Sequence, residues 1–120
     1  MRIILADHHV QPLLALGVLL NELTEFDLLG EATDVQGLLA LVEDNSTDLV
    51  LVDCDLPGLP IEELIARLHA LNPRPVVIVM GSMFEFESTM VEAGADDYVS
   101  KNDKPDWLLD KLYKYAQVFK

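Results

Sequence analysis

Short apolar runs alternate along this chain with longer stretches in which apolar and polar positions recur at helical spacing. The runs Arg2–Ala6, Phe26–Ala32, Asp48–Val52, Pro75–Met80 and Asp97–Val99 read as strands. Leu49-Val50-Leu51-Val52 and Val76-Val77-Ile78-Val79 are continuously apolar and rich in valine, the pattern of strands covered on both faces in a parallel sheet. The spacing between them predicts helices over His9–Leu23, Val35–Asp44, Ile61–Leu71, Phe84–Ala93 and Pro105–Val118. Pro12 suits a first helical turn, Asp34 and Pro105 are start signals, and Gly94 is a stop signal. Strand and helix in strict alternation specify an α/β fold, a single doubly wound sandwich of five βα units over residues 1–120.

Composition narrows the choice of partners. The 120 residues are 51% hydrophobic and carry 21 acidic against 8 basic side chains, a net charge of −13. That is enough apolar material for one packed core. So acidic a segment repels phosphate backbones and anionic lipid, which argues against nucleic acid or a membrane as its direct partner. The most apolar run, Pro12–Leu20, is about half of what a bilayer requires. Asp7 stands where a secretory leader needs its apolar core. A lone cysteine, Cys54, makes no intrachain disulfide and favours a reducing, cytoplasmic setting. All five lysines lie in the last fifth of the chain.

In open parallel sheets, ligands bind outside the carboxyl ends of the strands. The residues there are Asp7, Ala32 to Asp34, Asp53 to Asp55, Met80 to Ser82, and Ser100-Lys101. Two carboxylates and a lysine, from three separate strands, are thereby expected to converge on one edge.

These residues resemble the receiver domain of bacterial two-component response regulators, over essentially the whole chain. Asp48-Leu49-Val50-Leu51-Val52-Asp53-Cys54-Asp55-Leu56-Pro57-Gly58 is similar to the family's phosphoacceptor strand and loop. Glu92-Ala93-Gly94-Ala95-Asp96-Asp97-Tyr98-Val99-Ser100-Lys101 is similar to its fifth strand, with aromatic switch and lysine. Phe26–Ala32 is similar to the second strand of regulators with a helix-turn-helix output domain. The resemblance implies a flavodoxin-like sheet of strand order 2-1-3-4-5. It implies that Asp53 accepts a phosphoryl group from the phosphohistidine of a sensor histidine kinase, and that Lys101 pairs with the phosphoryl oxygens. Asp7, Asp53 and the backbone carbonyl of Asp55 would hold Mg²⁺ or Mn²⁺, and Tyr98 would act as the rotamer switch. A basic helix-turn-helix beyond Lys120 is the further expectation.

The chemistry is coherent on its own terms. A carboxylate is a nucleophile able to form an acyl phosphate. Phosphoryl transfer is mostly positioning and neutralisation of spread negative charge, which a hard cation and one ammonium provide. Three positions depart from the family pattern. His8 falls where a second metal-ligating acid normally sits, and imidazole suits softer ions than Mg²⁺, so that ion should bind weakly. Counting from Pro75 puts Met80 at the strand-four hydroxyl position, and counting back from Lys101 puts Val79 there; neither bears a hydroxyl, and Ser82 substitutes only if the loop shifts. Asn102 follows Lys101 where proline is common.

Each signal has a plainer reading. Asp53 and Asp7 could be ordinary strand-end caps, Lys101 a structural ion partner, and His8-His9 a solvated loop pair, the commoner reading, in place of a transition-metal site. Cys54 and Tyr98 could be core fillers, and Met83, Phe84, Phe86 and Met90 loop cover. The first helix is harder to dismiss, because Pro12–Leu20 is apolar all round and a sheet buries only one side of a helix. Leu13, Leu14, Leu16, Val18 and Leu19 are therefore expected at a homodimer interface with the last helix. The competing function is a pseudo-receiver, the same fold used as a phosphorylation-independent dimerisation or interaction module. An enzyme is disfavoured: Asp53-Cys54-Asp55 matches the Asp-x-Asp of haloacid-dehalogenase-type phosphatases, but Pro57 follows Leu56 and no cap domain fits.

Overall fold

The computed structural model describes residues 1–82, 87–102 and 105–119. Strands β1 (Arg2–Ala6), β2 (Asp27–Ala32), β3 (Leu49–Asp53), β4 (Val76–Gly81) and β5 (Asp97–Ser100) alternate with helices α1 (Val10–Asn21), α2 (Val35–Asp44), α3 (Ile61–His69), α4 (Glu87–Glu92) and α5 (Pro105–Ala116). The strands pair in parallel throughout, in the order β2-β1-β3-β4-β5.

Strand periodicity of two sorts the core into two layers. Ile3, Leu5, Leu49, Leu51, Ile78 and Val99 pack against Leu13 and Leu20 of α1 and Leu108 and Leu112 of α5. Ile4, Val50, Val52, Val77, Val79 and Tyr98 face the other way, onto Leu38 and Val42 of α2 and Leu64, Ile65 and Leu68 of α3. Central strand β3 is buried along its whole length, which is why it reads as an unbroken apolar run. Each fully buried leucine contributes about 1.5–3 kcal/mol relative to an exposed one.

Helix α2 has its expected bounds, whereas α1, α3 and α5 come out shorter than their apolar periodicity suggests. His9 is the extended residue before α1, and beyond Asn21 the Glu22 and Leu23 N–H groups bond three residues back, to the Leu19 and Leu20 carbonyls. The same tightening ends α3 at His69, with Leu71 N–H on Leu68, and α5 at Ala116, with Val118 N–H on Tyr115. Strands β3, β4 and β5 run one residue further than expected at their carboxyl ends, where Cys54 N–H still donates to Met80 and Lys101 N–H to Gly81, while β1 and β2 end as expected. Asp34 caps α2 through Gly37 N–H at 2.7 Å. Gly94, at φ +111°, follows α4. Met83 and, of the segment expected as the fourth helix, Phe84 and Phe86 lie outside the described residues, while Met90 packs partly buried against the α2–α3 side of the core.

Helix α1 differs from its neighbours. In α3 the outward positions are Glu62, Glu63 and Arg67. In α1 they are Val10, Leu14 and Val18, exposed by 56%, 55% and 60%. Leu13 is a correction to the expected interface: it is buried in the core against the sheet. Leu16 and Leu19 are half-buried on the flank of the helix, leaving Leu14 and Val18 on its solvent side.

Candidate functional site

Backbone hydrogen bonds at the carboxyl edge fix the residues that carry chemistry. Asp7 N–H donates to Ala32 at 3.0 Å, Cys54 N–H to Met80 at 2.9 Å, and Lys101 N–H to Gly81 at 2.6 Å. Three strand ends are thereby held in register, and Asp7 and Asp53 are each only 2% exposed. The Lys101 ammonium bridges them, with Nζ 2.7 Å from Asp7 Oδ2 and 3.3 Å from Asp53 Oδ1. The expected convergence of Asp7, Asp53 and Lys101 is present. Burial works to raise the Asp7 carboxyl, but the hydrogen bond from Lys101, the His9 N–H and the lysine charge outweigh it and hold it below the usual carboxylate value.

Both histidines join this cluster. His8 Nδ1 lies 2.8 Å from Asp53 Oδ2, and the two rings are 3.9 Å apart between centroids. His9 donates its backbone N–H to Asp7 Oδ1 at 2.9 Å and places Nδ1 3.1 Å from the same oxygen, 3.7 Å from Asp53 Oδ2 and 3.3 Å from Lys101 Nζ. The sequence sets His8-His9 as a solvated loop pair against a transition-metal pair, and it does not show His9 closing on Asp7. The signal for that contact was the place of His9 two residues after Asp7, where an aspartate that folds back on the following backbone brings the next side chain alongside. Although His8 Nδ1 is close, its ring N–H is not aligned on Asp53, and Asp53 Oδ2 is a buried oxygen with no hydrogen-bond partner. One donor atom each from Asp7, His8, His9 and Asp53 lie within 4.8 Å of one another.

Register bears on the two strand-four candidates. Met80, and not Val79, pairs with Asp53. Its side chain is buried among Leu5, Leu13 and Val99, so the position beside Asp53 has no hydroxyl. Ser82 lies past β4, exposed, with its carbonyl accepting from Asn102. Tyr98 is 4% exposed, and its ring and hydroxyl fill the space where a side chain on Gly81 would stand. Asp55 is exposed in the loop after β3. Burial, with the charges of Asp55 and Asp53, pushes the Cys54 thiol up to about 11, so it is a neutral thiol at pH 7.

A cleft of about 330 Å³ runs under α1 from Leu16 and Leu19, past Met80 and Leu108, to Asp7 and Lys101. At the amino end of β5 a half-buried carboxylate, Asp97, accepts from Lys111 Nζ at 2.6 Å, from the Tyr98 N–H at 2.9 Å and from Tyr115 Oη at 3.2 Å. Burial opposes the ionised form of Asp97, but these donors and the Lys111 charge hold it below its usual value. Burial, the Asp97 charge and their hydrogen bond push Tyr115 up to about 12.

Residues 3–113 match the response regulator receiver domain family. The chain is 32% identical over 118 residues to the nitrate/nitrite response regulator protein NarL of Escherichia coli K12, covering 95% of this chain and 54% of that protein. It is 26% identical over 113 residues to the transcriptional regulatory protein LiaR of Bacillus subtilis, covering 92% and 54%. It thus spans about half the length of the curated relatives it matches. The response regulatory domain of mrkE from Klebsiella pneumoniae superposes with a TM-score of 0.85 at 19% identity, covering 98% of this chain and 97% of that one. RcsB from Salmonella enterica serovar Typhimurium, bound to promoter rprA in the presence of BeF3⁻, gives 0.83 at 20% identity, covering 98% and 60%. At those identities the superpositions show the fold alone. With the sequence match, the sheet order and the three converging strand ends in agreement, this chain belongs to the response regulator receiver domain family.

Proposed function

We propose that the chain is the phosphoacceptor switch of a two-component system, taking a phosphoryl group on Asp53 from a sensor histidine kinase and relaying the signal to an output domain or partner. The observation that carries this reading is a buried Asp53 whose Oδ1 lies 3.3 Å from the Lys101 ammonium at the carboxyl edge of the sheet.

Asp53 Oδ1 forms the new P–O bond as the donor's P–N bond breaks, and the departing imidazole takes up a proton. Lys101 faces that oxygen and meets the incoming phosphoryl charge. Asp7 keeps the lysine from closing on Asp53 alone, since it holds the shorter of the two contacts. Asp7, Asp53 and the backbone carbonyl of Asp55 would hold a divalent cation, and the unpartnered Asp53 Oδ2 fits such an ion. When bound, the cation supplies neutralisation of the phosphoryl charge. With His8 in place of an acid, Mg²⁺ or Mn²⁺ binds weakly. Met80 offers the phosphoryl group no hydroxyl, so coupling to Tyr98 is weaker than in regulators that have one.

The reading includes no turnover beyond the domain's own phosphotransfer and dephosphorylation. It sets the protein in the cytoplasm, with no direct nucleic-acid contact from this acidic segment. No helix among the described residues is long and apolar enough to cross a membrane. It also includes a homodimer through α1 and α5, supported by the exposure of Val10, Leu14 and Val18 and of Trp107 at 55%. A monomer by sedimentation at micromolar concentration would sink the dimer. Leu14→Glu with Val18→Glu should convert a dimer to monomer without loss of fold.

Intact mass after incubation with Mg²⁺ and a small acyl-phosphate donor tests the switch. A phosphoryl adduct in the parent chain, absent from Asp53→Asn, supports it. No adduct with Mg²⁺ or Mn²⁺ would overturn it in favour of a phosphorylation-independent module.

A further inference from the structure

We propose that Asp7, His8, His9 and Asp53 form a site that selects a divalent transition ion with an affinity for nitrogen, of the Zn²⁺, Co²⁺ or Ni²⁺ kind, over Mg²⁺. The proposal deepens the receiver reading by naming the ion its acidic edge takes, and it stands whether or not Asp53 is phosphorylated.

The first argument is the division of oxygens. Lys101 occupies Asp7 Oδ2 and Asp53 Oδ1. The other oxygen of each carboxylate, Asp7 Oδ1 and Asp53 Oδ2, faces the imidazole nitrogens. The lysine and an ion therefore use different oxygens of the same two acids, and an ion on His9 Nδ1 displaces the lysine contact at 3.3 Å from that nitrogen.

The second is spacing. His8 Nδ1 to Asp53 Oδ2 is 2.8 Å, His9 Nδ1 to Asp7 Oδ1 is 3.1 Å, and His9 Nδ1 to Asp53 Oδ2 is 3.7 Å. Metal–ligand bonds of about 2.0–2.1 Å in a tetrahedron put neighbouring donors about 3.3 Å apart, in the middle of that range.

The third is Asp53 Oδ2 itself. It is buried, lacks a hydrogen-bond partner and points at His8 and His9, an arrangement that costs free energy unless a cation fills it. Two imidazoles and two carboxylates suit zinc, cobalt or nickel; Mg²⁺ takes oxygen ligands and dehydrates reluctantly. The histidine side chains are 36% and 55% exposed, so the ion has an open way in.

The test is titration of the untagged chain, carrying Cys54→Ser to remove the thiol, with Co²⁺ alone. Expected is a visible d–d absorption of tetrahedral intensity, bleached by stoichiometric Zn²⁺ and unaffected by a hundredfold excess of Mg²⁺. His8→Asp should weaken Co²⁺ binding at least tenfold and strengthen Mg²⁺ binding by calorimetry, and His9→Gln at an exposed position should weaken Co²⁺ binding without touching the fold. Displacement of Co²⁺ by equimolar Mg²⁺, or Co²⁺ affinity within twofold of the parent in both histidine variants, would overturn the proposal. A phosphoryl adduct with Mg²⁺ and no cobalt band would overturn it while leaving the phosphoacceptor reading intact. A cobalt band lost in both histidine variants, with no adduct under any ion, would support it and overturn that reading instead.

Discussion

Asp53, buried, and Asp97, half-buried, are both carboxylates set beside a lysine, yet they are built for opposite ends. Asp97 has a donor on each oxygen: Lys111 and a backbone N–H on Oδ1, Tyr115 on Oδ2. Asp53 shares its lysine with Asp7, at the longer of the two distances, and its second oxygen has no hydrogen-bond donor. The satisfied carboxylate of Asp97 ties β5 to α5 and rigidifies the fold. An unsatisfied one keeps a lone pair available for a ligand or a bond. The reactive acid here is both the deeper of the two, its side chain 3% exposed against 17% for Asp97, and the one with fewer donors aimed at it.

One substitution made at both positions gives the sharpest break. Asp53→Asn should abolish the phosphoryl adduct entirely, while Asp97→Asn should retain it; mass spectrometry reads both. Stability should move the other way. Asp97→Asn removes charge-assisted hydrogen bonds and should cost about 1–3 kcal/mol in urea denaturation. Asp53→Asn removes a buried charge crowded by Asp7 and should leave stability unchanged or raise it. Equal losses at both positions would erase the distinction.

A smaller effect follows from pH. Tyr115 titrates near 12 in the fold against about 10 unfolded, so its stabilisation is complete below pH 10 and lost as pH rises toward 12. Asp97 is depressed from 3.8, so its contribution is present above that value and lost as pH falls through the lower folded one. Between pH 10 and 12 the thermal midpoint of the parent should fall more steeply than that of Tyr115→Phe. A parallel fall would show that the Asp97–Tyr115 contact adds nothing.

The acids of the site were legible in the chain because strand ends can be counted. Asp7, Asp53 and Lys101 each follow an apolar run, and a parallel sheet brings such positions to one edge whatever the loops do. Met80 against Val79 was not legible, because the choice depends on register, and a loop of unknown path lies between β4 and Lys101. The Asp97 contacts with Lys111 and Tyr115 are 14 and 18 residues apart in sequence and depend on how α5 is rotated on the sheet. Periodicity gave that helix a face without saying which polar side chain it would aim at a strand. For α1, an all-apolar stretch could not reveal which residues turn inward, so Leu13 was grouped with Leu14 although one is core and the other exposed.

Gly81 and Tyr98 have a bearing on descent. The tyrosine ring stands in the volume that any side chain at position 81 would occupy. An alanine at 81 would have to evict the ring, while a smaller residue at 98 would leave a hollow against the α2–α3 layer that alanine alone could not refill. The two positions, on neighbouring strands, are coupled in descent. A lineage could exchange them through a double replacement, or through one intermediate whose aromatic ring faces outward.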